Sequence, residues 1–359
     1  VPVKRTWLAA IILTAAAAVP SLAQTATPPP QTFSATVYFD YSYNATNDGS
    51  LTGTDAAKAL SNKFAFRRAY FTYENKISDY LKFRFRIDAD NTSNLTSVDF
   101  VKGTTKKDDK LRPFIKHAYL EWSRDLLQSK FAIGMIETMS FKLAEDRWGY
   151  RSVAKTLLDG YKDITGVEID QTSADLGLTW KGTISKELRF GVGVHNGSAY
   201  SHAETDKYKK ISGYLQIVPV AGISLFGYVD YENQSANDTA VTYKADVYFD
   251  LVKNLNITFE WFRYDNATYK TAGEHFLVGG WSAFATYKIK PEKLGLFARY
   301  DAYQPTSLDS GKDMSLVIVG LDWYAWGSSG RLQPNVWIWD YNDARQGDVV
   351  VNMTFFLSF

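Results

Sequence analysis

Apolar and polar residues alternate with a period of two along most of this chain. From Leu81, the residues Leu81, Phe83, Phe85, Ile87 and Ala89 are apolar, and the interleaved Lys82, Arg84, Arg86, Asp88 and Asp90 are all charged. A helix would scatter those charges around its circumference, whereas an extended strand puts them all on one face. The same alternation runs from Phe33 to Tyr41 and from Val241 to Leu251. It closes the chain through Val349, Val351, Met353, Phe355, Leu357 and Phe359. Read throughout, the pattern predicts sixteen strands. They start near Thr32, Asn62, Tyr80, Pro113, Lys130, Ile164, Glu187, Tyr208, Gly222, Val241, Leu255, His275, Leu294, Met314, Leu332 and Asp348.

The connections alternate short and long. Turns such as Asn75–Asp79, Arg124–Ser129 and Val252–Asn254 are followed by polar stretches such as Ala45–Ser61, Asn91–Arg112 and Phe141–Asp163. Short turns on one side and long loops on the other are the signature of an outer-membrane barrel, and an even strand number leaves both termini on the short-turn side. A soluble sandwich has no reason to sort its loops by parity. Trp122, Trp180, Tyr287 and Phe359 fall at the lower ends of the outward faces, and Tyr41, Tyr43 and Trp261 at the upper ends. Rings with one apolar and one polar edge prefer the boundary between headgroups and hydrocarbon. The fold class expected is all-β: a transmembrane antiparallel β-barrel of about sixteen strands.

The N-terminal stretch fits an exported chain. Lys4 and Arg5 precede an apolar run from Trp7 to Val19, and Ser21-Leu22-Ala23 supplies small residues for cleavage. Residues 1–23 are therefore expected to be a signal peptide, the run being shorter than the ~20 residues a spanning helix needs. Residues 24–31 are expected to be a short disordered segment rich in Thr and Pro, and 32–359 the barrel. Composition agrees, with Tyr 23, Phe 22 and Trp 10 against Pro 10 and no cysteine. Aromatics favour pleated surfaces and proline is excluded from sheet interiors. The chain has 40 basic and 39 acidic residues. That balance argues against a nucleic-acid partner, which requires a basic footprint.

The stretch FAFRRAYFTYENKISDYLKFRFRIDAD, Phe64–Asp90, resembles the second and third strands of the phosphate-selective porins O and P. IKHAYLEW, FAIGMIETMSF, GVGVHNG and LFARYD follow in that family's order, and the terminal Phe359 resembles the assembly signal of outer-membrane barrels. The resemblance implies a sixteen-stranded barrel, trimeric, in the bacterial outer membrane, with its third extracellular loop folded into the pore. It also implies a ladder of arginines, which Arg68, Arg84 and Arg86 resemble in part. The third loop lacks the dense lysine cluster that a phosphate-selective member carries.

Pairing across Asn75–Asp79 sets Glu74 opposite Tyr80, so that Arg68 faces Arg86, Tyr70 faces Arg84 and Thr72 faces Lys82. Like charges directly opposite destabilise an ordinary sheet; a water-filled lumen tolerates them and an anion pathway would use them. The expected pore lining is Arg68, Tyr70, Lys82, Arg84, Arg86, Asp88, Asp90, His117 and Glu121. A wall with acids balancing the cations is the plainer reading of the same residues. The expected constriction loop, Phe141–Asp163, carries Lys142, Asp146, Arg147, Arg151 and Lys155, and Val153, Leu157 and Leu158 suggest a short helix packed on the wall.

No cofactor or metal is expected. His117, His195, His202 and His275 lie in no metalloprotease or serine-hydrolase motif. Asp88-Ala89-Asp90-Asn91 lacks the sixth-position glycine of a calcium loop. Ser201, His202 and Glu204 have the residue types of a triad but not its geometry. The function expected is that of a porin passing small hydrophilic solutes or anions, weakly anion-preferring, with outer-membrane lipid around a homotrimer. A substrate-specific channel for phosphate, sugar or carboxylate is the alternative. A barrel enzyme or an adhesive barrel ranks behind both.

Overall fold

The computed structural model describes residues 30–46, 62–90, 95–99, 104–108, 112–167, 169, 171–200, 203–233, 238–266, 276–305, 312–342 and 347–359. The leader expected at 1–23, most of the segment 24–31, and Ser201, His202 and His275 lie outside them. Sixteen strands close into one antiparallel barrel. They are β1 (Gln31–Asn44), β2 (Lys63–Lys76), β3 (Leu81–Asp90), β4 (Arg112–Arg124), β5 (Ser129–Glu137), β6 (Ala174–Ser185), β7 (Leu188–His195) and β8 (Lys210–Val220). The second half is β9 (Ile223–Asn233), β10 (Thr239–Val252), β11 (Leu255–Asn266), β12 (Phe276–Lys290), β13 (Leu294–Gln304), β14 (Met314–Trp323), β15 (Gly330–Tyr341) and β16 (Val349–Ser358). Pairing of β1 with β16, Thr36 opposite Ser358 through Asn44 opposite Val350, removes the last free edge.

Every expected strand exists, and the sixth is displaced. It begins at Ala174, and Ile164 lies instead in a helix. Between β5 and β6 the chain forms α1 (Lys142–Trp148) and α2 (Leu157–Thr165). Leu157, Leu158 and Tyr161 recur at helical spacing and are buried. Gly166, at φ 71°, supplies the left-handed residue that ends α2.

The outer face carries apolar rows from strand to strand. Leu120, Ile133, Leu178, Val194 and Ile211 are consecutive partners across β4 to β8, and each exposes 41–58% of its surface. In water such a row would be an interaction or aggregation patch; around a barrel it is the hydrocarbon belt.

The inner face departs from a simple polar lumen. Met314, Leu316 and Ile318 of β14, Phe284 of β12, Phe297 and Tyr303 of β13, and Trp337, Trp339 and Tyr341 of β15 are buried inside the barrel. Phe141, Trp148, Tyr150, Val153, Leu157, Leu158 and Tyr161 pack on them from the α1–α2 segment. The core therefore sits inside the barrel, between the third loop and one half of the wall. This explains why β14 is apolar on both faces: one meets lipid and the other meets the loop.

Candidate pore and constriction loop

The β2–β3 register differs from the sequence expectation by four residues along the hairpin. Arg68 pairs with Asp90, Tyr70 with Asp88, Thr72 with Arg86, Glu74 with Arg84 and Lys76 with Lys82. The turn lies two residues further along the chain, with β2 running to Lys76 and β3 starting at Leu81, and Ser78 and Leu81 close it by exchanging backbone hydrogen bonds at 3.1 and 3.4 Å. An even displacement keeps every residue on its face but exchanges its partner. Arg68 now bridges Asp88 at 3.2 Å and Asp90 at 2.6 Å, and Glu74 accepts Lys82 at 2.9 Å and Arg84 at 3.4 Å. Opposite charges face one another where like charges were expected, the favourable choice for directly paired side chains. The continuous positive strip of Arg68, Lys82, Arg84 and Arg86 is thus interrupted by Asp88 and Asp90 at Arg68 and by Glu74 at Lys82 and Arg84, while Arg86 faces Thr72.

Two bulges add inward cations that simple alternation misses. Tyr38 pairs with Arg68 and Phe39 with Phe66, so Arg67 is the extra residue and shares the inner side with Arg68. Arg86 pairs with His117 and Ile87 with Ile115, which makes Lys116 the extra residue beside His117. Both bulges were written in the sequence as changes of parity. The apolar positions switch from Phe64 and Phe66 to Ala69, Phe71 and Tyr73, and from Ile115 to Ala118, Leu120 and Trp122. Lys116 and His117 are almost wholly buried; Lys116 lies 3.8 Å from Asp88 and 4.1 Å above the ring of Tyr200.

The loop is tied to the wall along its length. Met139, at its start, packs with Phe226, Tyr228 and Tyr248. Lys142 pairs with Asp146 one turn on, and Arg147 reaches Asp250 near the lower end of β10. Asn256 donates to the Arg147 carbonyl at 3.0 Å. Arg151 pairs with Glu145 and Asp159, and its Nε donates to the Tyr70 hydroxyl at 3.3 Å. Arg299 donates to the Lys155 carbonyl at 2.6 Å, while the Lys155 ammonium holds Asp163 at 2.7 Å. At the return, Gln171 donates to Asp230 and Thr242. Burial alone would raise the Asp159 carboxyl; Arg151 foremost, then Lys155, outweigh it and hold it at about 2.

The expected lining residues thus divide into two groups. Arg68, Tyr70, Asp88 and Asp90 are drawn into the packed contact between wall, loop and Tyr200, and His117 is buried on the wall beside Tyr119 and opposite Arg86. Lys82, Arg84, Arg86 and Glu121 stand on the wall that the loop leaves uncovered. A polar recess there is lined by Tyr119, Glu121, Lys130, Ala132, Glu137, Thr179 and Lys181. Glu137 and Lys181 were not anticipated. Glu137 lies 3.8 Å from Arg84, and Glu121 lies 3.5 Å from Lys130.

This architecture has known counterparts. No protein-family model matches the sequence, and no curated protein is similar to it in sequence. In structure the chain is similar to an anion-selective porin from Comamonas acidovorans, at a TM-score of 0.66 and 10% identity, over 92% of this chain and 99% of that one. It is similar to the outer membrane channel DcaP of Acinetobacter baumannii, at 0.60 and 13% identity, over 94% and 99%. OmpT of Vibrio cholerae, an outer membrane protein solved in a trimer form, matches at 0.60 and 11% identity, over 93% and 100%. The fold is that of the outer-membrane porins. The coarser part of the family expectation holds, and the likeness extends to porins generally.

Proposed function

We propose that this chain forms a water-filled channel in the bacterial outer membrane through which small hydrophilic solutes diffuse passively. The observation that carries this reading is the third loop folded inside a closed barrel. It packs on the half bounded by β11–β15, touches β2 through Arg67 and Tyr70, and leaves uncovered the part of the β2–β6 wall that carries Lys82, Arg84, Glu121, Glu137 and Lys181. Interior charge of both signs is what a solvated pore tolerates, and no group of histidines and carboxylates suited to a metal is found among the described residues. Assembly as a homotrimer is part of the proposal, in keeping with the trimer form of the Vibrio cholerae protein.

A weak preference for anions follows from a set that keeps Lys82, Arg84 and Arg86 of the sequence expectation, loses Arg68 to its carboxylate partners, and gains Lys130 and Lys181. On the uncovered wall, Lys82, Arg84, Arg86, Lys130 and Lys181 outnumber Glu74, Glu121 and Glu137. Arg86 and Lys181 have no carboxylate within 4.0 Å among the described residues; Arg86 donates to the Thr72 hydroxyl at 2.8 Å. Fixed charge in a narrow low-dielectric passage enriches the opposite ion, over a reach of ~10 Å at 0.1 M salt. The zero-current potential under a KCl gradient should therefore have the anion-selective sign in dilute salt and shrink towards molar salt. Arg86→Gln with Lys181→Gln should reduce it. A cation-selective wild type would reject the preference and leave the diffusion channel standing.

A further inference from the structure

We propose that Arg67 is a positioning residue for the turn of the constriction loop at Ser152 and Val153, and that through this turn it governs the aperture of the pore. The inference rests on the channel reading above. Arg67 is the extra residue of the β1–β2 bulge. Without the bulge, strict alternation would send one of Arg67 and Arg68 to the lipid. The bulge turns both inward, and the two side chains then do different things. Arg68 is consumed within the wall by Asp88 and Asp90. Arg67 leaves the wall: its Nη1 lies 2.8 Å from the carbonyl oxygen of Ser152, 2.8 Å from that of Val153, and 3.1 Å from Asp40 Oδ2.

Those carbonyls belong to the turn between α1 and α2, which is closed by Val153 and Ala154 both donating to the Tyr150 carbonyl, at 2.8 and 3.0 Å. Asp40 is almost fully buried at the foot of the guanidinium and orients it. The turn meets the wall on two strands, at Arg67 of β2 and Gln333 of β15. On either side of the Arg67 contact, Arg151 meets Tyr70 and the Ser152 hydroxyl meets Gln333 Oε1 at 2.6 Å. The apolar contacts of Val153 and Leu157 drive the loop onto the wall but do not fix its position along it, because apolar attraction is non-directional. Directional bonds do, and Arg67 supplies the two that hold the backbone of the turn itself. A planar guanidinium aimed by a carboxylate suits this task, and a lysine would supply charge without the fork.

Two readouts on the intact protein test this: hydrogen exchange of the peptide spanning 149–156, and single-channel current. In Arg67→Met the amides of Val153 and Ala154 should exchange roughly 10- to 100-fold faster, the scale set by losing charge-assisted hydrogen bonds. Amides of β5 and β6 should be unchanged, and the open-channel current should become noisy. Arg67→Lys, which keeps the charge and is the milder change, should lie between Met and wild type in both readouts. Unchanged exchange in both variants would overturn the positioning role, and faster exchange with a steady current would overturn the link to aperture. A wild type that carries no current at all would instead refute the channel reading, while the exchange data would still judge Arg67.

Discussion

Ala132 and Ile133 are neighbours in sequence and should respond very unequally to the same substitution. Ile133 lies at the middle of β5, points outward between Leu120 and Leu178, and exposes 58% of its surface to the apolar belt. Arginine there puts a cation near the bilayer midplane at a cost of about 2–4 kcal/mol, a ~30- to ~900-fold loss in the folding equilibrium. Ala132 points into the polar recess with Glu121, Glu137, Lys130 and Lys181. Arginine there meets water and two carboxylates, and its effect should stay within about 0.5 kcal/mol, as at an unremarkable surface site. Urea titration of the protein folded into phospholipid vesicles, followed by tryptophan fluorescence, measures both. Equal losses, or a larger loss at Ala132, would mean that the register of β5 or the membrane placement of this face is wrong.

Leu157→Ala removes a fully buried side chain from the core inside the barrel; the ~2–5 kcal/mol cost of such a truncation should fall on loop docking, giving flickering currents while the barrel keeps its resistance to heat on gels. Acid should act on the same contact. The Asp159 carboxyl is held at about 2, below its ordinary ~3.9, so its anchoring is complete above about pH 4 and is lost as pH falls towards 2. Current noise should rise over that window in the wild type, and Asp159→Asn should be noisy at neutral pH and respond less to acid. Mass spectrometry of the protein recovered from outer membranes should place its N-terminus near Gln24; retention of Lys4 and Arg5 would refute the leader.

The barrel was legible because each lipid-facing strand must alternate, and alternation survives in a single sequence. Strand register was less so. Arg68 opposite Arg86 and Arg68 opposite Asp90 differ by an even step that leaves every face unchanged, and only the charge pairing separates them. The inward turn of Arg67 and Lys116 was visible as a change of parity, since neither bulge leaves any other mark on composition. The false strand at Ile164 has a different origin. The helix itself was legible from Leu157 and Leu158, but its last turn, which holds Ile164, has apolar residues that also suit a strand and was read as the start of the next one. The apolar lumen under the loop was hidden for a related reason: Val317 and Val319 face lipid while Leu316 and Ile318 face the loop, so the strand shows no alternation to read.

Insertion of the purified protein into a planar bilayer tests the central claim most directly. The account predicts discrete, ohmic conductance steps of uniform size, with a weakly anion-selective zero-current potential in dilute KCl. Heat-modifiable, fully folded protein that enters the bilayer and produces no conductance would contradict it, because the wall of β2–β6 would then be sealed as completely as the half beneath the loop.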